Sequence, residues 1–253
     1  MRNFKYQSAL LSAVRRCVKN YDMINSGDRI AVGASGGKDS TALLCALGAM
    51  RAFYPQKYSV VAVTVDCGFD GMDYSPLTGL CASLDIEHHI IKTEISKIVF
   101  DARAESNPCS LCSRMRRGAL HNEAEKLGCT KVAIGHNRDD VSQTLLMNLF
   151  YAGKLGVFWP VNLPDEKNIS LIRPLIYASE KTVREFCRRN NLPIIKNTCP
   201  EDKHTRRETV KNLIKAVERE NKGVSYRIFR AIEKSEIDGF RDFGGKSERQ
   251  PEN

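Results

Sequence analysis

Ser35-Gly36-Gly37-Lys38-Asp39-Ser40 puts two glycines, two hydroxyls, a cation and a carboxylate into six consecutive positions. Glycines let backbone amides close around an anion, and a helix beginning there adds positive potential, so the segment reads as a phosphate cradle. It is not a Walker loop, because Asp39 follows Lys38 and no glycine sits five residues before Gly37; it also lacks the G-x-G-x-x-G of a dinucleotide fold. A second polar run, Gly135-His136-Asn137-Arg138-Asp139-Asp140, precedes a helical pattern over Val141 to Tyr151. Its paired aspartates either bind Mg²⁺ or cap that helix, since Asp in a first helical turn satisfies free amides.

Cys109-Ser110-Leu111-Cys112 has the spacing that lets two thiolates reach one metal, and it stands just before a helix whose dipole favours thiolate. Cys199, beside Pro200 and outside any helical pattern, supplies a third ligand. Such a pair is also compatible with redox chemistry or plain burial. Cys17, Cys45, Cys67, Cys81, Cys129 and Cys187 fall on apolar faces or strand ends and read as core. Nine cysteines, an odd number in a chain of 253 residues, argue for a reducing compartment over a disulfide framework. Arg116 lies one helical turn after Cys112, so it either reaches toward the metal, the phosphates or a nucleic acid, or joins Arg114 and Arg117 on a solvated face.

The elements that carry these residues alternate. Leu10, Leu11, Val14, Cys17 and Val18 recur at helical spacing with Arg15, Arg16 and Lys19 opposite, giving an opening basic helix. Arg29 to Gly33 is a short apolar strand ending at the cradle, followed by a helix from Thr41. Tyr58 to Val65, Glu87 to Ile91, Lys131 to Ile134 and Ser170 to Leu175 are further extended runs separated by helix-length segments, with another helix over Glu180 to Asn190. This pattern predicts an α/β fold, a parallel sheet with helices on both faces, binding its ligand beyond the carboxyl ends of the strands after Gly33, Val65 and Ile134.

The expected organisation is a basic helix over 1–25, a nucleotide-binding domain over 26–198, a basic helical segment over 199–243 and a polar tail over 244–253. Lys203 to Arg241 holds eleven Lys or Arg against six Asp or Glu; Val210, Leu213, Ile214 and Val217 mark a helix exposing Arg207, Lys211 and Lys215. A net charge of +9 favours a polyanionic partner. With 42% hydrophobic and 27% charged residues the composition is that of a globular protein, and no apolar run approaches the ~18 residues of a membrane span. A cytoplasmic protein without membrane association is expected.

Ser-Gly-Gly-x-Asp-Ser is the signature of the PP-loop ATP pyrophosphatase superfamily, which this sequence resembles. The resemblance implies an adenine nucleotide alpha hydrolase-like fold that cleaves ATP between its α and β phosphates. The nucleotide would be held by Ala34, Ser35, Gly36, Gly37, Lys38, Asp39 and Ser40, by main chain at Val65, and by Gly135, His136 and Asp140, with Mg²⁺ near Asp39. The match narrows at Cys-Ser-Leu-Cys-Ser-Arg-Met-Arg-Arg-Gly, Gly-His-Asn-Arg-Asp-Asp-Val-Ser-Gln-Thr, Ile172-Arg173-Pro174-Leu175 and Pro193-Ile194-Ile195, which resemble the tRNA 2-thiocytidine synthetases in order from Arg2 to about Ile214.

That family implies a 4Fe-4S cluster on Cys109, Cys112 and Cys199 with one iron left open for sulfide, and catalytic roles for Lys38, Asp39, Arg116 and Asp140. It implies tRNA, ATP and a sulfur donor, either sulfide or a cysteine desulfurase, as partners, and it leaves a homodimer open. After Cys199 the sequence departs from the family: Pro200-Glu-Asp-Lys-His204 stands where Gly-Ser-Gln is expected. Cys109, Cys112, Cys199 and His204 would make a closed Zn²⁺ site. The rival readings are therefore a 2-thiouridine thiolase or other PP-loop ligase and, from another class, a zinc-containing RNA-binding module with a regulatory nucleotide site.

Overall fold

The computed structural model describes residues 4, 8–102, 108–163, 168–196, 198–201 and 206–243. A six-stranded sheet runs through its centre: β1 (Arg29–Gly33), β2 (Ser59–Asp66), β3 (Glu87–Lys92), β4 (Lys131–Ala133), β5 (Val161–Asn162) and β6 (Ser170–Ile172). The order is β3-β2-β1-β4-β6-β5, parallel throughout except β5, which pairs antiparallel with β6. β1 is central because both its faces are apolar: Ile30 and Val32 point one way and Ala31 the other, all fully buried.

Helices cover both faces. On one, Ile30, Val32, Ala62 and Ile172 share a core with α1 (Ser8–Asn20), α2 (Lys38–Met50), α3 (Ser75–Ser83) and α6 (Glu180–Arg189). On the other, Ala31, Val61, Val63 and Val132 meet Leu120 and Ala124 of α4 (Pro108–Lys126). α2 is buried nearly all round, from Ser40 to Gly48, because it lies between the sheet and α1 and α6. α5 (Arg138–Ala152) carries α7 (Arg206–Glu220) and α8 (Val224–Lys234), and Phe229, Ile232 and Phe240 enter the same core as α1. Among the described residues no helix is long and apolar enough to cross a membrane.

The expected α/β architecture is present, with local corrections. The run from Ser170 stops as a strand at Ile172, since Arg173 turns inward and Pro174 lacks the amide a further ladder bond needs. Lys97–Ala102 forms a π-helical segment, and β5 is too short to have shown a period. Cys109 and Cys112 lie inside the opening of α4, not before it, because Pro108 already stands in its first turn, where its missing amide costs nothing. His204 and the tail over 244–253 lie outside the described residues.

Because β2 and β4 flank β1 on opposite sides, the chain reverses its direction of travel across the sheet at β1, opening a crevice at the carboxyl ends of these strands. The pairing of β1 with β2 ends at Gly33 and Val63, so the last residues of β2 run on as a wall of that crevice.

Candidate functional site

Gly33 leads straight into the phosphate loop, and Ala34 holds it to β2 by donating its amide to Val63 O over 2.8 Å. Thr64 Oγ1 donates to Ala34 O over 2.5 Å. Gly36 has φ +79°, and a Cβ there would come within 2.6 to 2.9 Å of Ile195, so only glycine admits this turn. Ser35 Oγ and Ser40 Oγ stand 3.0 Å apart, and Gly37, the N-cap of α2, provides no side-chain cap. The opening of α2 thus presents free amides and its positive end to the crevice, the arrangement that binds phosphate.

Lys38 Nζ lies 2.6 Å from Asp39 Oδ2 and 3.3 Å from Glu180 Oε1. Burial pulls the Lys38 ammonium down, but these two carboxylates outweigh it and raise its pKa above the ordinary lysine value. Glu180, at the start of α6, also accepts from Lys211 at 3.0 Å and lies 3.5 Å from Arg184. Burial pushes its carboxyl up, yet Lys211 and Lys38 hold it below the ordinary range. Sequence reasoning missed Glu180, and its only signal was the Ser179-Glu180 helix start; Ser179 Oγ indeed accepts from Thr182 N at 3.1 Å.

The paired aspartates divide their labour. Asp139 accepts the Glu180 amide at 2.7 Å and the Ser225 hydroxyl at 3.1 Å, so it ties α6 and α8 to the start of α5. Asp140 faces the cavity, with Oδ1 accepting from Arg207 at 3.2 Å and Oδ2 closing a capping box by accepting the Asn137 amide at 2.9 Å. Burial raises the Asp140 pKa and the nearby Asp39 charge adds to it, partly offset by Asn137 and Arg207. Asn137 Oδ1 takes the Asp139 and Asp140 amides while its Nδ2 donates to Asp39. The approach is close: a Cβ on Gly135 would meet Asp39 C and Ser40 N at 2.9 Å.

His136 stacks on Phe158 with centroids 4.5 Å apart and accepts at Nδ1 from Arg173 Nε over 3.2 Å. Burial first, then Arg173 and Arg207, push its pKa down to about 3, so the ring is neutral at physiological pH. With Nδ1 accepting, its proton sits on Nε2. Arg173 itself is anchored to Asn162 Oδ1 at 2.6 Å and to Trp159 O. His136, Gly135, Asp140 and Val65 line one cavity of about 520 Å³ with the phosphate loop.

An adjoining cavity of about 480 Å³ shares Ser35, Gly37, Val65 and Asp140 with the first, and is lined also by Lys38, Cys109, Cys112 and Cys199. Arg116 borders both and hydrogen-bonds Cys112. The neighbouring Cys67 thiol and the Arg116 guanidinium hold the Cys112 thiol below its ordinary range, against the opposing effect of burial. Cys109, with Cys199 and Glu201 as neighbours, is raised by burial and their charge. Among the described residues, no three His, Cys, Asp or Glu side chains converge closely enough to hold a single metal ion.

Cys67 is buried as expected, in a small core cluster with Ile95, Val99, Leu111 and Cys112, and also borders the cysteine cavity. One expectation is corrected. Arg207 and Lys211 do not form an exposed basic stripe with Lys215; α7 packs on α5 through Val210 and Ile214, which turns Arg207 and Lys211 inward onto Asp140 and Glu180.

A PP-loop domain model matches residues 8–217 of the chain. The tRNA-cytidine(32) 2-sulfurtransferase of Geobacter sulfurreducens is 38% identical over 233 residues, 91% of this chain and 90% of that protein. The protein of the same name from Pelobacter propionicus is 39% identical over 223 residues, 87% and 83% of the two chains. Among solved structures, the U34-tRNA thiolase NcsA from Methanococcus maripaludis with its 4Fe-4S cluster superposes with a TM-score of 0.72 at 26% identity, over 92% of this chain and 80% of that one.

Proposed function

The chain belongs to the PP-loop domain family and, within it, to the tRNA-cytidine 2-sulfurtransferases, and from that premise we propose how its residues thiolate tRNA. ATP binds with its pyrophosphate in the amides of Ser35 to Ser40 at the start of α2. The target is the cytidine that the relatives' name places at position 32. Its O2 attacks the α-phosphorus, the bond to the bridging oxygen breaks, and pyrophosphate leaves. Lys38 offsets the charge that moves onto that leaving group, the largest electrostatic demand of the step. Sulfur then replaces the adenylated oxygen at C2, and AMP departs.

Asp39 and Asp140 are the pair suited to Mg²⁺: hard oxygen donors, close enough for Asp39 to raise the Asp140 pKa, so that a cation between them relieves a real repulsion. Neutral His136 offers Nε2–H to a phosphate oxygen. Arg116, bordering both cavities, can follow negative charge from the phosphates to the sulfur.

Cys109, Cys112 and Cys199 fit a 4Fe-4S cluster by donor type and spacing. All three are thiols, the soft donors that such clusters take. They stand around a cavity and not around a point, whereas zinc needs every sulfur about 2.3 Å from one centre. When bound there, the cluster supplies the position at which sulfur is held for transfer; sulfide, free or from a cysteine desulfurase, is the co-reactant.

The observation that carries this reading is that the phosphate loop and the three cysteines open onto adjoining cavities joined by Val65, Asp140 and Arg116. The test is anaerobic incubation with ATP, Mg²⁺, sulfide and tRNA, followed by nucleoside mass spectrometry and nucleotide analysis. Expected are 2-thiocytidine, AMP and pyrophosphate in equal amounts, iron and acid-labile sulfide in the protein, and loss of both on Cys199→Ala but not on His204→Ala. ADP as product, or stoichiometric zinc released by His204→Ala from a protein without labile sulfide, overturns the reading and favours the zinc-containing RNA-binding module.

A further inference from the structure

Among the described residues, six border both cavities: Ser35 and Gly37 of the phosphate loop, Val65 near the end of β2, Arg116 of α4, Asp140 of α5 and Arg207 of α7. Two of the six are cations, and they come from different helices. Arg116 hydrogen-bonds Cys112 and so belongs to the cysteine end. Arg207 Nη1 donates to Asp140 Oδ1 over 3.2 Å and, after burial and Arg173, its charge also helps hold the His136 ring neutral. It belongs to the nucleotide end.

Attaching α7 does not require this arginine. Val210 and Ile214 bury that helix on α5, Lys211 Nζ meets Glu180 Oε1 at 3.0 Å, and Glu218 accepts the amides of Gly223 and Ser225 at the start of α8. An ion pair whose arginine side chain is 39% exposed adds little to such an attachment. What the pair achieves is aim. Asp140 engages one nitrogen of the guanidinium and holds it where the two cavities meet, and the planar fork carries further donors.

Resting on the ATP-cleaving reading above, we propose that Arg207 is a catalytic residue that hydrogen-bonds the α-phosphate of ATP, so that α7 completes the nucleotide site. With the pyrophosphate in the amides at the start of α2 and the adenine at Val65, the α-phosphate falls between Ser35 and Val65, at the junction Arg207 shares with both. As cytidine O2 attacks, the bond from oxygen to the α-phosphorus forms while the bond to pyrophosphate breaks. Lys38 answers the charge on the leaving group; a planar guanidinium suits the two non-bridging oxygens left on the phosphorus. Arg207 supplies hydrogen bonds and charge and transfers no proton. The same contact stays with the phosphate when sulfur enters at C2 and AMP departs.

Anaerobic holoproteins of wild type, Arg207→Lys, Arg207→Gln and Arg207→Ala are compared for single-turnover pyrophosphate release with ATP, Mg²⁺, sulfide and tRNA. Affinity for α,β-methylene-ATP, melting midpoint, iron and labile sulfide are measured on the same samples. Expected is release about a hundredfold slower in the glutamine and alanine proteins, the scale of losing one transition-state donor, with partial recovery in the lysine protein. Analogue affinity should stay within a few-fold of wild type, and melting midpoint and iron content should not change. Millimolar guanidinium ion should restore the alanine protein, and urea at the same concentration should not. A rate close to wild type, a loss that follows a lowered melting midpoint and resists guanidinium, or a loss cured by raised Mg²⁺ and so exerted through Asp140, overturns the role of Arg207 and leaves the ATP-cleaving reading intact. ADP in place of AMP from the wild type overturns that reading, and this one with it.

Discussion

Asn137 Nδ2 donates to Asp39 Oδ1 over 2.9 Å, across 98 residues of sequence. The bond fastens the first turn of α2, which carries the phosphate loop, to the loop that opens α5 and presents Asp140. Asn137 is itself 2% exposed, and each of its polar groups is spent on this junction: Oδ1 on two helix amides, its own amide on Asp140.

Asn137→Ala removes the cap and the tie together. A lost N-cap costs about 1–2 kcal/mol, so a lower denaturation midpoint is expected, together with a larger fall in AMP formation than that stability loss explains. Asn137→Asp separates the two effects, since it retains the cap but sets a third carboxylate beside Asp39 and Asp140. Its stability should be nearer wild type and its ATP cleavage should recover with raised Mg²⁺. Equal, Mg²⁺-insensitive activity in both variants would contradict a cation between those aspartates.

Lys38→Ala should reduce pyrophosphate release by at least about a hundredfold, the scale of losing a transition-state charge partner, while leaving iron and sulfide content unchanged. Rapid quench with labelled ATP and metal analysis of the same sample check both halves. Glu180→Gln should show a smaller loss, because it frees Lys38 and Lys211 from a shared partner and leaves the phosphate amides in place.

His136 has a pKa pushed down to about 3 in the folded protein, against about 6.5 in an unfolded chain. Between those values the unfolded state binds the extra proton, so stability from this group is complete above about pH 6.5 and is lost as pH falls toward 3. Urea unfolding of wild type and His136→Gln across that window should give a difference that shrinks with acidification. A nuclear magnetic resonance titration showing the His136 ring protonating near neutrality would refute it; Arg173→Met, by removing a neighbouring cation, should move that titration upward.

tRNA binding should weaken steeply with salt, because each phosphate neutralised by Lys or Arg releases counterions. Lys215→Glu, on the exposed side of α7, should weaken tRNA binding and leave ATP affinity unchanged. Lys211→Glu should do the reverse in emphasis, disturbing ATP cleavage through Glu180. Filter binding at several salt concentrations, paired with nucleotide affinity, distinguishes them; the same tRNA defect in both would return Lys211 to the basic surface.

Much of this protein was legible in the order of its residues. The strand before Ser35 announces itself by an apolar run ending at glycines, and the alternation of strand and helix by change of period, because backbone conformation responds to neighbours a few positions away. The phosphate loop, the Asp139-Asp140 pair and the Cys109-Cys112 spacing are likewise local, so their candidate chemistry shows without any fold.

Only the folded chain separates Asp139 from Asp140, because one turn of α5 points the first at α6 and α8 and the second into the cavity. Only packing turns Lys211 inward to Glu180, since helical period shows which residues share a face and not what that face meets. Cys67 and Cys112 became neighbours in the same way: they sit on a strand end and a helix start 45 positions apart, brought together by the crossing of α4 over the carboxyl edge of the sheet. Contacts of that range depend on the whole topology, and no window of sequence contains both partners.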